Sequence, residues 1–190
     1  KGIIIRDPVV LERLPTCRTA IFDKTGTLTY GQAELTEIST LQGFEEEGIL
    51  QDVASIERFS KHPLATAVVK AAQKSHLAFL DVEKINEAPG QGLVGHLEGK
   101  IVQITSRQKL AQKHPDQVAM LPSQRPGMEC IVLINDQLAA VLYFRDTLRL
   151  EGQSFIAHLA PIHSFKKIMV VSGDRPSEVN HIAKELGITE

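Results

Sequence analysis

One stretch constrains this chain more than any other: Ile21-Phe22-Asp23-Lys24-Thr25-Gly26-Thr27-Leu28-Thr29. Two β-favouring apolar residues lead into a lone aspartate, then small hydroxylated residues and a glycine. The pattern is that of a buried strand delivering a carboxylate to a loop at its C-terminal end, where open α/β sheets hold their ligands. A carboxylate so placed can act as a nucleophile toward a phosphoryl group, giving an aspartyl-phosphate. Thr25 and Thr27 offer hydroxyls, Gly26 lets the backbone approach a ligand closely, and Lys24 adds charge. A single Asp at such a junction would be read as an ordinary strand-to-turn connection, because Asp, Gly and Thr are common turn formers.

The bulk properties narrow the setting. With 190 residues, the chain can form one medium domain or two small ones. A hydrophobic content of 43% with 23% charged residues is that of an ordinary globular protein. A net charge of −2 argues against non-specific nucleic-acid binding. No apolar run approaches the roughly 18–20 residues that cross a bilayer, and no signal-peptide pattern is present. Cys17 and Cys130 belong to no C-x-x-C pair, so free buried thiols in a reducing compartment are expected and a disulfide framework is not. The histidines are scattered; His158 and His163, with Pro161 between them, are poorly spaced for metal ligation.

Taken in order, residues 9–14 read as a short amphipathic helix ended by Pro15. Residues 19–22 form the strand that feeds Asp23, and Tyr30-Gly31-Gln32 is a candidate hinge. Residues 35–41 alternate like a half-exposed strand. Residues 45–59 read as a helix with an acidic first turn, and Pro63 suits the first position of a second helix over 64–74. From Val82 the period drops toward two: strands are expected over 82–85, 93–97 and 100–105, with Glu98-Gly99 as a hairpin turn. A short helix over 106–113, a loop over 115–127 and a second hairpin about Asn135-Asp136, joining 130–134 to 138–144, follow. The last third returns to alternation: a helix over 151–159 stopping at Pro161, a strand over 167–171, and a helix over 176–186 with Gly187 as its C-cap. Such an order suits a parallel Rossmann-like sheet built from the two ends of the chain. The expected fold is therefore α/β, with an inserted α+β domain of antiparallel sheet and flanking helices.

The ungapped run Asp23-Lys24-Thr25-Gly26-Thr27-Leu28-Thr29 resembles the phosphorylation signature of the P-type ATPases, a branch of the haloacid dehalogenase superfamily. The resemblance implies that ATP phosphorylates Asp23 to drive ion translocation. It also implies Mg²⁺ held by Asp23 and the Thr25 carbonyl, and a division into 1–32 and 142–190 as phosphorylation domain around 33–141 as nucleotide-binding domain. Ser60-Lys61-His62-Pro63-Leu64-Ala65 resembles the S-x-H-P-L-A motif of the heavy-metal-transporting class, in which the histidine lies beside the adenine and a glutamate five residues earlier helps to read it. Glu57 stands at that place. Pro89-Gly90-Gln91-Gly92-Leu93-Val94-Gly95 contains G-x-G-x-x-G but precedes a strand, so it does not support a dinucleotide fold. It resembles the G-x-G turn of the same nucleotide domain, with Gly90 and Gly92 close to the ligand. Where that class carries Gly-Asn after the next strand, this chain has Thr105-Ser106.

Asp146-Thr147-Leu148-Arg149 matches a D-x-x-R segment that, by the resemblance, braces the interdomain connection and reaches toward ATP; a surface ion pair is the plainer alternative. Ser172-Gly173-Asp174 takes the place of the family's T-G-D, where a hydroxyl and backbone N–H groups hold the transferred phosphoryl, and Arg175 replaces the usual asparagine. Phosphatases of the superfamily carry a second Asp two residues after the nucleophile for acid–base work. Thr25 occupies that position and favours a persistent phosphoenzyme.

The segment Lys1-Gly2-Ile3-Ile4-Ile5 is similar to one that follows a membrane helix in heavy-metal pumps, and the family's later lysine and G-D-G-x-N-D loop are not in the sequence. The expectation is a cytoplasmic portion of an integral membrane protein. Its partners would be membrane helices and an actuator domain, its transported cation would be bound elsewhere, and the isolated chain would bind ATP without turning it over. The alternatives are a soluble phosphatase of the same superfamily and a non-catalytic nucleotide-binding module.

Overall fold

A computed structural model of the chain describes residues 4–88, 92–163, 165–174 and 176–188. The chain divides into two compact units, Lys1–Gly31 together with Thr147–Glu190, and the continuous stretch Gln32–Asp146.

In the first unit, β1 (Thr19–Asp23) pairs in parallel with β8 (Lys167–Val171), in register from Thr19↔Lys167 to Asp23↔Val171. Helices α5 (Gly152–His163) and α6 (Pro176–Leu186) cover one face of this pair. Ile156, Leu159, Ile182, Leu186 and Ile188 pack there with Phe22, Ile168 and Val170. Phe22 meets Phe155 edge-on at 5.9 Å between ring centroids. The opposite face is open: Ile21 is 61% and Val171 53% exposed. Gly187 (φ 75°) ends α6 by donating to Lys184, and Ile188 donates back to Ala183, so the left-handed residue satisfies the last carbonyls.

Helix α5 does not stop at Pro161 but runs on to His163. A proline in the final turn forfeits one backbone donor without ending the helix, since its own φ is helical. The helix α1 (Val9–Arg13) expected to be amphipathic buries nothing, with Val9, Val10, Leu11 and Leu14 about half exposed; Pro15 lies inside a following 3₁₀ turn, Leu14–Thr16.

The second unit is built on a six-stranded sheet in the order β2-β7-β6-β5-β4-β3: β2 (Thr29–Thr40), β7 (Gln137–Leu148), β6 (Met128–Ile134), β5 (Lys100–Thr105), β4 (Leu93–Leu97) and β3 (Lys84–Asn86). From β3 to β7 every neighbouring pair is antiparallel. Both hairpin turns use two residues with positive φ, Glu98 (48°) with Gly99 (72°) and Asn135 (49°) with Asp136 (63°). That backbone twist matches the twist of paired strands.

Helices α2 (Glu46–Glu57) and α3 (Ala65–Lys74) pack on one sheet face around Ile49, Val53, Ile56, Val68, Leu97, Val102 and Leu142. A smaller cluster of Leu110, Ile131, Leu133, Val141 and Tyr143 fills the other face beneath α4 (Arg107–Lys113). Ser106 caps α4 by accepting from the Lys109 N–H. Pro63 lies in the turn ahead of α3 rather than in its first position. The expected loop after Pro115 begins with a 3₁₀ turn, Pro115–Met120, and β2 is a long strand that runs straight through Tyr30-Gly31-Gln32, with Gly31 at φ 66°.

Candidate active site

Parallel pairing of β1 and β8 brings two loops out of the same sheet edge. Asp23 is the last residue of β1 and lies opposite Val171, after which Ser172-Gly173-Asp174 begins. The Asp23 carboxylate is exposed. Beyond it, residues Lys24–Leu28 form a tight turn closed by the Thr29 N–H donating to the Lys24 carbonyl, with Gly26 at φ 79° and ψ −13°. Thr29 is fully buried. Its hydroxyl donates to the Lys24 carbonyl and accepts from the N–H groups of Gly26 and Gly31, each at 3.3 Å. One side-chain oxygen thus ties the turn together from inside, while Thr25 and Thr27 face solvent.

Lys24 is 5% exposed, an unusual burial for a lysine. Its ammonium forms an ion pair with Asp174 from the loop after β8. The Ser172 hydroxyl donates to Asp174 Oδ2 at 3.0 Å and accepts from the Asp174 N–H at 3.2 Å. Hydrogen bonding from Lys24, with a further contribution from Ser172, holds the Asp174 carboxyl below its usual range. Gly173 is exposed, with open space where a side chain would begin. Arg149 joins the group from the far side of the chain: its guanidinium donates to the Gly26 carbonyl at 2.9 Å and lies 5.1 Å from the Tyr30 ring centroid, and its N–H donates to the Leu28 carbonyl. Asp23, Lys24, Thr25, Ser172, Gly173, Asp174 and Arg149 therefore belong to one cluster. Asp146, half-buried in β7, falls in the other unit. Arg175 lies outside the described residues.

A second constellation lies in the unit Gln32–Asp146. Helix α2 packs so closely on β4 that a Cβ on Gly95 would stand 2.2 Å from Ile56 Cγ2. Only glycine fits there, and Glu57, the last residue of α2, follows Ile56 directly. Gly92 leads into β4 with φ 87°, and a Cβ on it would stand 2.2 Å from the Ile104 carbonyl oxygen. Gly90 lies outside the described residues.

Glu57 is 5% exposed, and its Oε2 has no hydrogen-bond partner among the described residues. Burial, offset in part by Ser60 and reinforced by the charge of Glu87, pushes its carboxyl up to about 7. Ser60 donates to Glu87 Oε1 at 2.7 Å and accepts from the His62 N–H at 3.0 Å. His62 Nδ1 accepts from the Leu64 N–H at 3.2 Å, and the ring is exposed.

Sequence reasoning did not single out Thr29, Ser60, Glu87 or Cys130. Burial, with the charges of Glu57 and Glu129, pushes the Cys130 thiol up to about 12, which puts it within electrostatic reach of Glu57. Thr29 and Ser60 lie inside motifs already marked, and Ser60 could have been read as a capping hydroxyl; nothing local marks Glu87 or Cys130. Among the described residues no group of three or more His, Cys, Asp or Glu side chains could hold a metal ion, and no helix is long and apolar enough to cross a membrane.

Residues 17–190 match the haloacid dehalogenase-like hydrolase family. Copper-exporting P-type ATPase B of Archaeoglobus fulgidus is 33% identical over 192 residues, covering 100% of this chain and 27% of that protein. The zinc/cadmium/lead-transporting P-type ATPase of Escherichia coli is 32% identical over 192 residues, covering 99% of this chain and 25% of that protein. Among solved structures, the catalytic domain of the CPx-ATPase CopB-B superposes with a TM-score of 0.74 at 29% identity, covering 100% of this chain and 66% of that one. A zinc-transporting PIB-type ATPase in its E2.Pi state superposes with a TM-score of 0.78 at 31% identity, covering 94% and 29%. The chain spans about a quarter of the length of the curated relatives it matches.

Proposed function

Given that this chain belongs to the haloacid dehalogenase-like hydrolase family, we propose that it is the ATP-binding and phosphorylation region of a heavy-metal-transporting P-type ATPase, with Asp23 as phosphoryl acceptor. The observation that carries the reading is the bridge from Lys24 to Asp174, which ties the loop after β1 to the loop after β8 beside an exposed aspartate. Relatives that transport copper or zinc, matched along the whole chain, support the pump over a free-standing phosphatase. So does Thr25: a threonine cannot supply the acid–base carboxyl a phosphatase needs two residues past its nucleophile.

In the proposed reaction a carboxylate oxygen of Asp23 attacks the γ-phosphorus of ATP, the bond from that phosphorus to the bridging oxygen breaks, and ADP leaves. The Ser172 hydroxyl and the N–H groups of the neighbouring turn receive the phosphoryl oxygens. Lys24, held by Asp174, sets the charge at the sheet edge, and Arg149 fixes the turn through Gly26. Asp23 and the Thr25 carbonyl would hold Mg²⁺; a carboxylate and a carbonyl completed by phosphate oxygens and water suit that hard cation. When bound, it supplies positive charge against the transferring group. Glu57, His62, Gly90 and Gly92 would take the nucleotide base, and the orphaned Glu57 Oε2 is a buried polar atom that fits such a ligand. Asp146 completes the proposed ATP contacts with Arg149. By this reading the chain works on the cytoplasmic side of a membrane pump, with membrane helices, an actuator domain and a transported cation as its partners.

The test is ATP-dependent labelling of a pump carrying this sequence. Wild type should form an acid-stable phosphoenzyme, and Asp23→Asn should abolish it while leaving nucleotide binding intact. Labelling that survives Asp23→Asn would remove the assignment.

A further inference from the structure

We propose that Glu57 recognises the purine as a neutral carboxylic acid, its C=O accepting from the amino group at C6 of adenine and its O–H donating to N1. The inference rests on the reading that a nucleotide base docks at this end of the unit Gln32–Asp146, and concerns the chemical form in which the glutamate acts.

Among the described residues no cation partners Glu57. Its Oε2 is buried and without a partner among the described residues. Ser60 donates to Glu87 Oε1, and its hydrogen bonding toward Glu57 offsets the effect of burial only in part. The titratable groups that act on or respond to Glu57 are Glu87, on the segment after β3, and Cys130 of β6, with Glu129 beside it. All are acids. The nearby cations are committed elsewhere: Arg58 donates to the Ser55 and Leu80 carbonyls and lies against the Phe59 and Phe79 rings. Lys100 donates to both oxygens of Asp52, each at 2.9 Å, farther back along α2. The residues of β4, β5 and α3 in the core beneath α2 are apolar: Leu93, Leu97, Val102, Ile104, Leu64 and Val68. His62 stands exposed on the following loop with Nδ1 already accepting from Leu64. A buried carboxylate among acids and aliphatic groups is costly in its charged form, and a proton is the simplest neutralising partner. The direction of its shifted ionisation agrees.

The base supplies the second half of the argument. The Watson–Crick edge of adenine presents a donor, the C6 amino group, beside an acceptor, N1. A carboxylic acid presents an acceptor beside a donor, so two hydrogen bonds form at once. An ionised carboxylate is acceptor-only and would set a lone pair against N1. Guanine presents N1–H beside O6 and so meets either form: the ionised carboxylate accepts from N1–H and the C2 amino group, and the neutral acid accepts from N1–H and donates to O6. The contrast between the two forms is therefore read on adenine.

The experiment is calorimetric titration of ATP into this chain and into Glu57→Gln, at pH 6 and pH 8. Glutamine also offers an acceptor beside a donor but cannot ionise. The two proteins differ only at position 57, so the ratio between them isolates that side chain. Wild type should bind ATP about tenfold more weakly at pH 8 than at pH 6 relative to Glu57→Gln. Wild-type affinity that holds or tightens at pH 8 relative to the variant, or loss of ATP binding by Glu57→Gln at pH 6, would overturn the neutral form while leaving the nucleotide site standing. Absence of ATP binding by wild type at both pH values would overturn the site itself, and the inference with it.

Discussion

At the scale of single residues, Lys24 and Cys130 carry the least expected chemistry. A lysine beside an aspartate in a turn ordinarily reads as a solvated charge, and neither its burial nor its pairing with Asp174 is visible in the local sequence, because the partner arrives from the opposite end of the chain. Asp174 is itself substantially exposed, so Lys24→Met should cost folding stability only modestly, on the order of 1 kcal/mol or less. It should cut phosphoenzyme formation by about 10²-fold or more if the ammonium is aimed at developing charge. The linkage has a definite sign. Hydrogen bonding from Lys24 depresses the Asp174 carboxyl from its ordinary value of 3.8, so the stabilisation is present above that pH and fades as the pH falls through the depressed value. Urea midpoints of wild type and Lys24→Met should therefore converge in acid and separate above about pH 4.

Cys130 gives a cleaner test. With its thiol pushed up to about 12 by burial and neighbouring carboxylates, it should resist iodoacetamide at pH 8, while the exposed Cys17 reacts. Mass spectrometry of the folded chain should show a single alkylation, at Cys17; rapid labelling of Cys130 would contradict the burial.

At the scale of elements, the readable features were those governed by local chemistry. The turns at Glu98-Gly99 and Asn135-Asp136 carry residues that tolerate positive φ, and both form two-residue hairpins. Elements set by tertiary contact were harder to read. Pro161 looks like a terminator, yet α5 continues past it, packed against α6 and the β1–β8 pair. The run after Pro115 looks like a loop because its prolines and polar residues hide a single 3₁₀ turn. The family chemistry was legible in the Asp23–Thr29 motif, whereas the hydroxyl of Thr29 that organises the turn looked like one more threonine. Gly95 looks like a plain strand glycine in the sequence; its requirement comes from Ile56 of α2, which lies against it. Gly95→Ala forces a methyl to within 2.2 Å of that side chain and should destabilise the unit by about 1–3 kcal/mol. Because α2 must shift to accommodate it, ATP affinity should weaken in parallel with the urea midpoint. Unchanged stability would show that α2 has room to move.

At the scale of the molecule, the unit Gln32–Asp146 begins in β2 and ends in β7, and these strands are neighbours in one sheet. Its two ends are thus side by side, and its hydrophobic core is drawn from its own residues. Residues 32–146 expressed alone should fold cooperatively, with a single urea transition and the far-ultraviolet signature of mixed helix and sheet. An unfolded or molten product would mean that residues outside the stretch complete its core.

The pairing of β1 with β8 carries a consequence for the order of events during synthesis. Contacts between strands so far apart in sequence form slowly, because the whole intervening chain must close as a loop first. As the polypeptide leaves the ribosome, the continuous unit can mature while β1 still has no neighbour, and Asp23 sits at the end of an unpaired strand. Only when β8 emerges does the aspartate gain its companion loop. A nascent chain arrested short of residue 167 should hold a folded unit Gln32–Asp146 beside an unpaired β1, so that the cluster proposed to receive the phosphoryl group assembles last.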